Sequence, residues 1–264
     1  MKKVISQDGT TIAYDQVGQG PMLILVDGAL CYRAFGPSGA LAKMLAPHFT
    51  VITYDRRGRG ESGDAASYAI EREIEDIQAL IEAVGGSAFV FGISSGAALA
   101  LETANRLPAI TKLALYEAPF IVDDSGRPIT QQFLGRLKEL VAANRRGDAV
   151  RLFMKQVGTP GFVIAIMRFM PPWAKLKAVA HTLPYDITIL VDHGMGKPLP
   201  STAWTSVTAP TLVMDGGKSP VSMRNAMQAL AKTLPNANYS TLAGQTHMVK
   251  PEVLTPALEN FFAG

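Results

Sequence analysis

The run Gly92-Ile93-Ser94-Ser95-Gly96 places a serine between two glycines directly after an apolar stretch, Ala88-Phe89-Val90-Phe91. A small-residue helix is predicted from Ser95 to Asn105. A Gly-x-Ser-x-Gly turn between a strand and a helix is tight and strained. It lifts the serine hydroxyl above the sheet and aims the helix N-terminus at it. Ser94 is therefore the candidate nucleophile for a carbonyl carbon, and the Ser95 amide a candidate donor to the oxyanion that attack would create. An ordinary Gly/Ser-rich turn would carry the same letters, but the flanking strand and helix favour the chemical reading. A second oxyanion donor is expected from Gly28 or Ala29, in the loop Asp27-Gly28-Ala29-Leu30 after the strand-like run Met22–Val26. A serine nucleophile also needs a neutral imidazole as base. His247, in Gly244-Gln245-Thr246-His247-Met248 just before the last helix, is placed for that role.

The other histidines read differently. His48, in Pro47-His48-Phe49, is structural by position; His181 and His193 fall in the middle block, where they could touch a substrate. Cys31, the only cysteine, is off the serine turn and reads as a small buried apolar residue. No metal-ligand spacing, dinucleotide fingerprint or phosphate loop is present, so no metal and no cofactor is expected.

The elements that must position these groups alternate along the first third of the chain. Thr11–Tyr14 reads as part of an opening hairpin after Asp8-Gly9. Met22–Val26, Thr50–Tyr54, Ala88–Phe91 and Lys112–Tyr116 read as buried strands, with helices at Leu41–Leu45, Ile70–Val84 and Ser95–Asn105 between them. In the Ile70 helix, Ile70, Ile74, Ile77, Leu80 and Ile81 share one face and Glu71, Glu73 and Glu75 are expected elsewhere. From 120 to about 205 no central strand is predicted, and helices are expected at Gln131–Asn144, Asp148–Gln156 and Gly161–Met170. Strands resume at Thr211–Met214 and Tyr239–Leu242, with helices at Met223–Leu234 and at the C-terminus. The fold class is α/β: a doubly wound, mostly parallel sheet with a helical cap inserted between two core strands. Residues 1–119 and 206–264 form the core in this reading and 120–205 the cap.

Composition bounds the partners. The 264 residues suit one large core; 48% are apolar and 18% charged. A net charge of +3 is too small to argue for nucleic acid without a patch, and the cap's arginines and lysines show no obvious cluster in the sequence. A single cysteine suits a reducing compartment, and no signal-like or membrane-spanning run is seen. The expectation is a cytoplasmic monomer or homodimer with a small-molecule substrate, no nucleic acid and no membrane partner.

With the serine turn and His247 in place, the chain resembles the α/β-hydrolases over essentially its whole length. Tyr54-Asp55-Arg56-Arg57-Gly58-Arg59-Gly60-Glu61-Ser62 is similar to the family's loop after its fourth strand, where the Arg and Gly residues build a tight turn rather than an anion site. The resemblance implies a triad acid a few residues past Thr211–Met214, but Asp215-Gly216-Gly217-Lys218-Ser219-Pro220 has Ser219 in that slot. Some haloalkane dehalogenases and the zearalenone lactonases take the acid from an earlier strand end, which here is Glu117. The lactonases also share an elbow like Ser94-Ser95-Gly96-Ala97. Glu117 is the preferred acid, with Asp215 and acids such as Asp192 as rivals. Dehalogenases use an elbow aspartate, so the implied activity is instead a carboxylic ester hydrolase or lactonase acting through an acyl-enzyme on Ser94. Carbon–carbon bond hydrolysis, iminopeptidase action and a non-enzymatic small-molecule receptor are the alternatives. Aromatic residues of the cap imply an apolar site over a polar floor, with Trp173, Trp204 and Tyr185 as the candidate substrate contacts.

Overall fold

Alternate residues of the buried strands pack on opposite faces of one sheet, which is why these runs are apolar throughout. The structure is a computed structural model describing residues 1–264. Its elements are β1 (Lys2–Ile5), β2 (Thr11–Val17), β3 (Met22–Val26), α1 (Ser38–Leu45), β4 (Thr50–Tyr54), α2 (Ile70–Ala83), β5 (Ala88–Ile93), α3 (Ser95–Ala104) and β6 (Ile110–Tyr116). Then follow α4 (Gln131–Ala142), α5 (Arg146–Gln156), α6 (Gly161–Met167), α7 (Pro172–Val179), α8 (Leu183–Leu190), β7 (Thr211–Gly216), α9 (Val221–Thr233), β8 (Ala237–Leu242) and α10 (Pro251–Ala263).

The eight strands lie in the order β1-β2-β4-β3-β5-β6-β7-β8. Only β2 runs antiparallel to its neighbours; β4 through β8 are parallel. On one face Leu23, Leu25, Phe91, Tyr116 and Met214 pack with α1 and α10. On the other, Ile24, Val26, Val90, Leu115 and Val213 pack with α2, α3 and the helices between β6 and β7. No helix is long and apolar enough to cross a membrane.

Three expectations need correction. The helix begun at Gly161 ends at Met167, not Met170. Helices α7 and α8 were not anticipated, because Pro171-Pro172 and Pro184 look like breakers; proline sits in the first turn of both, where its missing N–H costs nothing. Glu73 does not face solvent: it is buried on the apolar side of α2, as is Asp76.

Candidate active site

Ser94 adopts φ 58° and ψ −132°, a strained backbone that only crowded surroundings can hold. The crowding is visible at its glycines. A Cβ on Gly92 would lie 2.5 Å from the Gly96 carbonyl oxygen, and one on Gly96 would lie 2.2 Å from that of Val26. The turn is pinned by the Ser94 N–H donating to the Tyr116 carbonyl at 2.9 Å. As the first residue of α3, Ser95 has no intrahelical acceptor for its N–H.

The loop after β3 passes against the serine: a Cβ on Gly28 would lie 2.8 Å from Ser94 Cβ. The N–H groups of Gly28 and Ala29 make no hydrogen bond within the chain. Two unpaired amides beside a hydroxyl, with a helix N-terminus below it, form a site where negative charge is favoured.

The Arg56-Arg57-Gly58-Arg59 turn supports this arrangement from below. All three guanidiniums are buried. Arg56 donates to both oxygens of Glu73 (2.7 Å each), to Asp186 Oδ1 (2.7 Å) and to the Asp27 carbonyl (3.3 Å). Arg59 donates to Asp186 Oδ2 and to the Gly28 carbonyl, each at 2.7 Å. Arg57 is held by Asp76 and Asp8. The Ser95 hydroxyl donates to Asp186 Oδ1 at 2.7 Å. Asp186, from α8, thus ties both amide-bearing segments to the helical block. Burial alone would push its carboxyl up, but Arg59, Arg56 and Ser95 outweigh that and hold it below the ordinary carboxylate range. Asp27 has weaker partners, and burial pushes its carboxyl up to about 6. Burial likewise pushes the Cys31 thiol up to about 12, so it carries no thiolate for chemistry.

At the end of β6, Glu117 is fully buried with φ 50°. Its Oε2 lies 2.8 Å from His247 Nδ1 and its Oε1 accepts from the Gly216 N–H at 2.7 Å. A carboxylate only accepts, so the proton is assigned to Nδ1 and Nε2 is left as the basic nitrogen. Tyr116, one residue earlier, donates through its hydroxyl to the Thr246 carbonyl at 2.7 Å and anchors the histidine loop. No hydrogen bond joins Ser94 to His247; such contacts commonly tighten only with substrate bound.

The rival acids do not reach the ring. Asp215 Oδ2 accepts from the Tyr239 hydroxyl at 2.5 Å, and Asp192 makes no bond to His247. Ser219 is buried with its hydroxyl unpartnered. No group of three or more His, Cys, Asp or Glu side chains is placed to hold a metal.

The three aromatic candidates sit elsewhere. Trp204 is buried against Phe120 and His193, and its Nε1 donates to Glu102 at 2.7 Å, a packing role. Tyr185 stacks on Tyr68 at 4.1 Å and donates to Asp64. Trp173 lines a cavity of about 620 Å³ in the helical block, in which neither Ser94 nor His247 takes part. That cavity also corrects the reading of the basic residues: Arg145, Arg146, Arg151, Arg168 and Lys177 converge on it. Sequence reasoning also missed Asp186, Glu73 and Tyr116. A glycine-flanked arginine triplet implies buried acidic partners, and that was the available signal.

Comparison with known proteins bears on the family and the fold. The family model described as "Alpha/beta hydrolase family" matches residues 23–254. The crystal structure of an alpha/beta hydrolase from Sphaerobacter thermophilus DSM 20745 is 52% identical, with a TM-score of 0.90, over 99% of this chain and 100% of that one. An enol-lactonase from Burkholderia xenovorans LB400 shares the fold at 18% identity and a TM-score of 0.73, over the full length of both chains. A thermophilic esterase from Thermogutta terrifontis does so at 23% and 0.69, over 99% of this chain and 97% of that one. The uncharacterized hydrolase YraK of Bacillus subtilis (strain 168) is 31% identical over 159 residues, 56% of this chain; the match spans 55% of YraK's own length. With the family model covering most of its length, the chain belongs to the alpha/beta hydrolase family.

Proposed function

We propose that the chain hydrolyses carboxylic esters or lactones through an acyl-enzyme on Ser94. The observation that carries this reading is the contact between buried Glu117 and His247 Nδ1, made at the strand end next to the one that Ser94 follows, which leaves Nε2 free to act as a base. Nε2 takes the Ser94 proton as Oγ attacks the carbonyl carbon. The oxyanion is held by the Ser95 N–H and that of Gly28 or Ala29. The imidazolium, stabilised by Glu117, then protonates the leaving alcohol oxygen as its bond to carbon breaks. Water, deprotonated by the same nitrogen, attacks the acyl-enzyme and releases the acid and Ser94. In a lactone the alcohol and the acid stay in one molecule.

Helices α4 to α8, between β6 and β7, act in this reading as a cap over the strand ends, where ligands enter open α/β sheets. The Glu117–His247 contact weighs against a receptor that lacks the acid. The test is turnover of short-chain p-nitrophenyl esters and of aromatic lactones by wild type and Ser94→Ala. The variant is expected to lose at least about 10³-fold in kcat while keeping its melting temperature. Wild-type rates in folded Ser94→Ala would end the proposal.

A further inference from the structure

Helix α6 turns apolar side chains outward. Phe162 is 70% exposed, Ile166 60% and Met170 49%, and Phe169 stands almost free at 91%. Phe162 and Ile166 share one helix face, and the turn after the helix carries Phe169 and Met170 alongside them. A contiguous apolar projection of this size is uncommon on a surface that meets only water.

The charged residues of the chain segment around it are of one sign. Residues 149–185 contain Arg151, Lys155, Arg168, Lys175 and Lys177 and no aspartate or glutamate. Arg168, at the end of α6, joins Arg145, Arg146, Arg151 and Lys177 around the 620 Å³ cavity of α5 and α7. Asp148 is the one carboxylate in its wall and is already paired with Arg145 and Arg151, at 2.7 and 3.2 Å. The cavity is therefore strongly cationic.

We infer that this face of α6 and the basic cavity beside it dock the protein onto the surface of an anionic phospholipid bilayer. The apolar side chains would enter the headgroup–acyl boundary, and the guanidinium and ammonium groups would meet lipid phosphates. A second copy of the chain fits poorly, because its identical basic rim would face this one with like charge. Lying on a surface needs one apolar face, not a spanning helix. The absence of a spanning segment, on which the expectation of no membrane partner rests, leaves such a surface mode open. The inference does not rest on the proposed ester chemistry, and its test reads binding.

The experiment is flotation of the full chain with vesicles of phosphatidylcholine alone, or with about a third phosphatidylglycerol. Wild type is expected to float with the anionic vesicles, not with the neutral ones, and to be released as salt rises from about 0.05 to about 0.5 M. Phe162→Ser/Phe169→Ser is expected to weaken partitioning at least about tenfold. Each basic side chain near such a surface contributes about fivefold, so Arg168→Glu/Lys177→Glu is expected to weaken it by about 25-fold or more. Both variants are expected to keep the wild-type melting temperature and its rate on a water-soluble ester. Failure of wild type to bind anionic vesicles, or binding that survives both variants, would overturn the inference. So would a wild-type dimer that Phe162→Ser/Phe169→Ser converts to monomer, or binding to polyglutamate without binding to vesicles.

Discussion

Replacing Glu117 by glutamine tests the site at its most specific contact. The carboxylate has two partners, His247 Nδ1 at 2.8 Å and the Gly216 N–H at 2.7 Å, and is fully buried. Glutamine has the same shape, so it must satisfy both partners with one oxygen and one NH₂ group. If the oxygen stays on Gly216, the NH₂ faces Nδ1 and drives the imidazole proton to Nε2, which then cannot accept from Ser94. If the amide turns over, the Gly216 N–H is left buried without an acceptor, at about 1–3 kcal/mol. In either case the charge opposing the imidazolium is gone; at about 4 Å and an effective dielectric of about 20 that attraction is worth about 4 kcal/mol. Three to four decades in kcat correspond to about 4–5.5 kcal/mol, so a loss of about 10³–10⁴-fold is expected. KM should change less than about threefold, because Glu117 is shielded from substrate. The assay is steady-state hydrolysis of a p-nitrophenyl ester with the melting temperature measured in parallel. Asp215→Asn is the control, expected within about threefold of wild type because its carboxylate is turned to Tyr239. A folded Glu117→Gln within tenfold of wild type, or an equal collapse in Asp215→Asn, would refute the reasoning.

The other predictions concern the supports of the site. Asp186→Ala strands Arg56, Arg59 and the Ser95 hydroxyl, all buried, and should destabilise by about 3–5 kcal/mol, read as a lower urea midpoint. A midpoint unchanged from wild type would show that the arginines find other partners. Gly96→Ala should give no folded protein, since its Cβ would meet the Val26 carbonyl oxygen at 2.2 Å, and a wild-type melting curve would contradict that packing. Asp27 titrates near 6 when folded, against 3.8 as its reference. Between about pH 4 and 6 the folded state holds a proton the unfolded state has lost, so stability falls as pH rises through that window. Asp27→Asn removes this contribution, at most about 3 kcal/mol, and should raise the urea midpoint at pH 7.5 more than at pH 4.5. An equal pH dependence in variant and wild type would show that Asp27 is not the source; Asp76, pushed by burial to about 6 as well, would then be the next candidate.

What was legible in the sequence was local. The strands announced themselves because each is buried on both faces, and the elbow because Gly92 and Gly96 have no room for a Cβ. Contacts between distant residues left little trace. Asp186 lies 130 positions from Arg56, and no pattern within α8 marks it as the acid that will neutralise two arginines. Glu73 was readable in part. It stands three residues after Ile70 and next to Ile74, on the apolar stripe, and only a carboxylate's ordinary preference for water argues against burial there. The basic cavity was invisible for a different reason. Its five cations are spread from 145 to 177 and converge only when α5 packs against α7.

The proposed placement of the triad acid at the end of β6, rather than in the β7 loop, is compatible with the register of the sheet. Tyr116 is paired with Met214, so Glu117 and Asp215 leave neighbouring parallel strands side by side, about 5 Å apart. A histidine arriving from the loop after β8 meets both strand ends. An acid on either can reach its ring if its side chain turns inward. At Glu117 the backbone takes a positive φ, and the Glu117 N–H still donates to the Met214 carbonyl at 3.1 Å. The strand therefore stays paired to β7 up to the residue that carries the carboxylate. The β7 end then serves the acid instead of supplying it: the Gly216 N–H donates to Glu117, and a Cβ at Gly216 would sit 2.6 Å from the Gln245 carbonyl oxygen. Ser219, in the loop after β7, is a buried hydroxyl with no partner. Moving the carboxylate back, by an aspartate at 219 with Glu117 intact, would place two buried acids around one imidazole, and like charges that close cannot both ionise cheaply. Asp215, already buried at the neighbouring strand end, avoids that conflict by turning its carboxylate to the Tyr239 hydroxyl and away from the ring.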